Sequence, residues 1–279
     1  MSAPAVVDRP LSIAEIVDRS ITLTVKRWRP LAVLALILGI ARAISIVVAP
    51  RGPLSALISG LAVQAVIDPL IIPAVVLIVA PITAPRLSVA LRGALQRYGT
   101  TFIAVLFANM LFGVTIGAAI LVTLPVFMAH APLFVFQTTA LVLLTIFLSI
   151  PVLLAGTIYP IIVLETPSPW RAIAIGVRRM RNAGVWRSLR LGFMILALEF
   201  VPSIIANAVA TRIDVLARMP ATLSLEQALV AGITTVYIAA LVTVISLEMR
   251  VRYEGSDIEA ALETSSSLAG SKEPAVETA

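Results

Sequence analysis

Six runs of almost unbroken apolar sequence set the terms for this chain. They cover residues 30–50, 57–84, 101–128, 133–164, 189–211 and 226–249. Each is long enough to cross about 30 Å of hydrocarbon as a helix, whose backbone polar groups are satisfied internally. Of the 279 residues, 59% are hydrophobic and only 13% are charged, and the mean hydropathy is +1.04. A water-soluble fold has no place to hide that much apolar surface, so lipid must solvate much of it. The expected fold class is all-α: a polytopic membrane helix bundle with six transmembrane helices in three hairpins. Pro151 and Pro160 predict a tilt or kink in the fourth run, and Asp68-Pro69 with Pro73 interrupts the second.

The charges are sorted by side. Basic residues gather before the first run (Arg9, Arg19, Lys26, Arg27, Arg29), in 85–100, in 165–190 and after the sixth run. The alternate connections hold only Arg51, Arg212 and Arg218. The positive-inside rule then predicts a multi-pass protein of the cell membrane with both termini cytoplasmic. Residues 1–30 lack the apolar stretch of a cleavable leader, so the first span is expected to stay. The net charge of +6 is assigned to anionic lipid headgroups rather than to nucleic acid.

Each cytoplasmic connection carries an amphipathic helix. In LSIAEIVDRSITLTVKRWR (11–29), Ser12 and Glu15 have capping-box spacing. Ile13, Ile16, Val17, Ile21 and Trp28 share one face; Glu15, Asp18, Arg19, Lys26 and Arg29 take the other. LSVALRGALQRYG (87–99) predicts a second such helix, starting at Ser88. SPWRAIAIGVRRMRNAG (168–184) predicts a third, with Ser168 as N-cap, Pro169 at the first helical position and a stop at Gly184. The chain thus reads as a tail (1–10), a membrane domain (11–260) of three similar units, 11–84, 87–165 and 168–250, and a disordered cytoplasmic tail (261–279). The units point the same way, unlike the inverted repeats common in transporters.

Three segments, LSIAEIVDR (11–19), YPIIVLE (159–165) and RVRYEGSDIE (250–259), carry a resemblance. With the spans between them, the chain resembles the membrane domain found in, and named after, certain glycerophosphoryl diester phosphodiesterases, which also occurs as a stand-alone bacterial protein. The R-x-R-x-E-G-x-D run is the most specific piece. The resemblance implies a six-span membrane module without the catalytic barrel.

Chemistry is sparse. There is no cysteine, and the single histidine, His130, falls in a short turn. No nucleophile, zinc or phosphate-loop motif occurs, so no catalytic residue, metal or cofactor is expected. Three charges fall near mid-depth of their spans: Arg42, Asp68 and Glu199. Left alone at the bilayer centre each costs about 2.5–3.5 kcal/mol, so they are expected to face inward, as a structural ion pair or as a pathway. A cytoplasmic set, Glu165, Glu248, Arg250, Arg252, Glu254 and Asp257, reads either as a mixed-charge cap with a defined turn or as a partner site. The leading functional expectation is a non-enzymatic scaffold or regulator for lipid-related or envelope protein partners. A transporter or lipid translocator using Arg42, Asp68 and Glu199 is the alternative, and an interfacial lipid enzyme is the third.

Overall fold

A computed structural model describes residues 9–48, 53–81, 85–128, 133–217 and 220–270. Arg51, His130, Arg218 and residues 271–279 lie outside them. The described chain forms α1 (Ile13–Lys26), α2 (Trp28–Val48), α3 (Pro53–Val79), α4 (Leu87–Gln96), α5 (Tyr98–Met128), α6 (Leu133–Leu164), α7 (Pro169–Ala183), α8 (Val185–Ala217) and α9 (Pro220–Gly270). The order short, long, long therefore occurs three times. Four stretches are long and apolar enough to cross a membrane: Trp28–Ser45, Tyr98–Pro125, Val142–Leu164 and Ala228–Gly255. Ala65–Val79 is apolar but shorter. The protein is an all-helical, membrane-embedded, multi-pass bundle.

The packing repeats as the elements do. The two long helices of each unit touch: α2 with α3, α5 with α6, α8 with α9. The first long helix of each unit also packs on the second long helix of the preceding one, α5 on α3 and α8 on α6, and α2 closes the circle on α9. Inside this ring α3, α6 and α9 touch one another. The short helices obey the same rule, with α4 on α3, α7 on α6 and α1 on α9. Small residues set the closest approaches: a Cβ on Gly232 would fall 2.5 Å from the Ala35 carbonyl, and one on Gly192 only 1.9 Å from that of Ser149. Leu34, Leu38, Ile71, Ile78, Leu241 and Ile245 are fully buried where α2, α3 and α9 meet. Outward-facing Leu36, Val114, Leu121 and Ile146 are at least half exposed, as lipid-facing residues are in a bundle whose solvent is hydrocarbon.

Several local expectations change. The Ser12–Glu15 capping box is present, but α4 starts at Leu87 with Arg86 before it, so Ser88 caps nothing. Ser168 holds the N-cap position without a side-chain hydrogen bond, and Gly184 ends α7 at a φ of 86°. The buried side of α1 is Ile16, Ser20 and Leu23, continuing to Arg27, whereas Ile21 and Trp28 are exposed. Contact with α9, rather than hydrophobicity alone, chooses the buried face. Pro69 and Pro73 sit within one continuous α3, not at a break. The tail run R-x-R-x-E-G-x-D forms no turn, because α9 carries the helix through Gly255 to Gly270, ten residues into the segment expected to be disordered.

Candidate functional site: a charged cavity among the long helices

Each short helix hands over to a long one at a junction, and the junctions hold the buried polar chemistry. Arg27, between α1 and α2, is 8% exposed. Its guanidinium donates to the Ile78, Val79 and Pro81 carbonyls, at 2.7 Å for Val79 and 2.6 Å for Pro81. These are the carbonyls a helix C-terminus leaves without partners, so Arg27 caps α3. Arg97, between α4 and α5, donates in the same way to Ile162 near the end of α6. In the third unit α9 does not end at this level, and the device changes. Arg187 donates to the Glu248 carboxylate at 2.9 Å and to the Leu11 carbonyl at 2.7 Å. Arg252 bonds both groups as well. Glu248 is fully buried, so this cluster fastens the start of α1 to α8 and α9 and joins the third unit to the first.

The set foreseen from sequence is held by several ion pairs, and Glu165 also acts electrostatically on Arg250. Glu165 makes a two-pronged pair with Arg179, both bonds at 2.7 Å. Glu248 takes Arg187 and Arg252, while Arg250 pairs with Glu254 along the helix at 2.6 Å. The Asp257 side chain lies outside the described residues. Among those described, no group of acids and histidine is placed to hold a metal ion.

The mid-depth charges behave differently. Arg42 of α2, Asp68 of α3 and Glu199 of α8 all line one cavity of about 340 Å³. All six long helices contribute residues to its wall. Tyr159 and Thr235 supply two hydroxyls, and the rest of the lining is chiefly aliphatic with Phe112 and Phe200. Asp68 is 4% exposed and acts electrostatically on Tyr159. Arg42 is half-buried and acts on Glu199. Glu199 is exposed and stands at the rim, beside exposed Phe200 and Ile116. All three charges line the cavity, Asp68 buried, Arg42 half-buried and Glu199 exposed at the rim.

Sequence reasoning missed Tyr159, although a tyrosine inside the apolar 133–164 run was a legible signal. It also missed the role of the junction arginines, which follow short helices in K-R-W and Q-R-Y at 26–28 and 96–98. Compared with known proteins, the chain matches no family model, no curated protein and no solved structure.

Proposed function

We propose that the chain is a six-span carrier of the lipid-translocator type, which takes the polar headgroup of an amphiphile into its central cavity. The observation that carries this reading is the cavity itself. It brings one guanidinium and two carboxylates together midway along the long helices, with one carboxylate exposed at the rim. Charged residues within membrane helices commonly face the bundle interior or a cavity and mark pathways. A volume of about 340 Å³ lies in the range of small-ligand sites. Both signs of charge suit a zwitterion, its cationic end toward Asp68 and Glu199 and its anionic end toward Arg42. The aliphatic remainder of the wall and the exposed Phe200 and Ile116 suit the hydrocarbon part.

The same proposal takes α3 and α8 as the remaining two spans, puts both termini in the cytoplasm of a cell membrane, and keeps the resemblance to the glycerophosphoryl diester phosphodiesterase membrane domain. The threefold element order and the basic junctions support that reading.

The test is reconstitution of the full chain into phosphatidylcholine vesicles carrying a headgroup-labelled phosphatidylcholine, followed by chemical quenching of the outer leaflet. Wild type is expected to render the inner-leaflet label accessible. Glu199→Gln and Asp68→Asn should slow this at least about tenfold, the loss of one charged contact, with thermal melting unchanged. No acceleration by wild type, or variants that move the label as fast as wild type, overturns the proposal.

A further inference from the structure

A second concavity, away from the central cavity, lies where the first span begins. It has a volume of about 760 Å³ and is walled by Lys26, Arg27, Trp28, Arg29 and Arg86, with prolines and the start of an apolar track. Its charge is entirely positive. Arg27 forms the floor and is engaged with the α3 carbonyls. Lys26, Arg29 and Arg86 are exposed, and none of them has a carboxylate in an ion pair among the described residues. The Arg29 guanidinium lies 5.8 Å from the Trp28 ring centroid, a cation–π distance that keeps it beside the groove.

The apolar side of the groove continues down α2. Val33, Leu36, Ile37, Ile40 and Ile44 are 43%, 52%, 41%, 47% and 56% exposed. At helical spacing they form one stripe that starts at the groove and runs about 16 Å along the helix axis. That is close to half of a hydrocarbon core about 30 Å thick, the depth of one leaflet. Trp28, 60% exposed, marks the headgroup level, where amphipathic aromatic rings settle.

The three units differ at this place. Where the first has Lys26 and Arg29 flanking its junction arginine, the second has Gln96 and Gly99 around Arg97. The first unit therefore differs from the second, whose junction arginine has no cation at the matching positions. Three cations without acidic partners, an aromatic at headgroup level and an apolar stripe one leaflet deep match the anatomy of one molecule.

We infer that this groove is a binding site for the phosphate-bearing headgroup of an anionic phospholipid, with an acyl chain lying on the α2 stripe. A basic pocket beside a membrane helix is the chemistry that selects anionic headgroups. Free phosphate offers the same charge but has no chain to lie on the stripe, so the lipid is the occupant.

The experiment titrates detergent-solubilised full-length protein with fluorescent phosphatidylglycerol and with phosphatidylcholine of the same chains. Wild type should prefer phosphatidylglycerol by at least about tenfold, since each cation near the surface contributes a few-fold. The triple variant Lys26→Gln, Arg29→Gln, Arg86→Gln should lose that preference and melt as wild type does, because Arg27 is left in place. A charge-matched control, Arg171→Gln, Arg178→Gln, Arg181→Gln, changes exposed cations of α7 and should keep the preference. Millimolar inorganic phosphate should not displace the lipid. The inference is overturned if wild type shows no preference, if the control loses it equally, or if inorganic phosphate competes.

Discussion

At the junction level Arg27, Arg97, Arg179 and Arg187 each end on carbonyls or a carboxylate. Midway along α2, α3 and α8, Arg42, Asp68 and Glu199 line a cavity. Both sets are charges in a mostly apolar protein, and both are costly to bury alone. The difference lies in the partner. Charges enclosed in the fold's own contacts hold helices together, whereas charges lining a cavity can also be reached by something that enters it. The first set should govern stability and the second should govern transport, and this separation can be broken experimentally.

The largest effect is expected from Glu248→Ala. Two arginines would lose a fully buried carboxylate, and breaking such a pair costs about 3–5 kcal/mol. A clearly lower melting temperature in detergent is the expected reading; an unchanged melt would mean the clamp between first and third units does not bear on stability. Next comes Arg27→Gln, which strips the α3 carbonyls of their donors. Hydrogen bonds to a charged group contribute about 1.5–3 kcal/mol, so its melting point should fall by more than that of Arg97→Gln. Equal losses would show that the two junctions carry the same load despite their different contacts. By contrast, Glu199→Gln should leave melting alone and affect only label movement, the mirror image of the junction variants.

The smallest effect concerns the start of α1. The backbone N–H of Ser12, then Arg9, hold the Glu15 carboxyl down to about 2 from its ordinary 4.5. A depressed folded-state value means the carboxylate's contribution is present above about pH 4.5 and is lost as the pH falls toward 2. Hydrogen exchange of the α1 amides should therefore be flat from neutral pH down to about 5, once corrected for intrinsic rates, and rise below it. Glu15→Gln should abolish that step. A step that persists in Glu15→Gln would assign it to another group.

Some of this architecture was open to reading in the residues. Ser12 with Glu15 announced a capped helix because capping is local: donor and acceptor are three residues apart. Long apolar runs announced helices because a backbone in lipid must satisfy its own hydrogen bonds. Mid-depth placement of Arg42, Asp68 and Glu199 followed from counting along each run at a fixed rise. Ser88 misled because Arg86 precedes the helix and no side chain caps it. The pairings within the Glu165, Glu248, Arg250, Arg252 and Glu254 set were not legible, because Arg179 and Arg187, which join it, come from other helices.

By itself, then, the sequence determined the helical class, the apolar runs that suit a membrane, the three short-long-long units and the position of three charges midway along their runs. These all depend on spacing within one segment and on transfer into hydrocarbon. Only the tertiary structure decided that α2 closes a ring on α9, that α3, α6 and α9 meet inside it, and that three charges from the first and third units face one cavity. Those facts depend on which helix faces pack across the ring, through contacts such as Gly232 on Ala35 and Gly192 on Ser149. The azimuth of a helix in a bundle is set by its neighbours' shapes, and no periodicity along a uniformly apolar run records it.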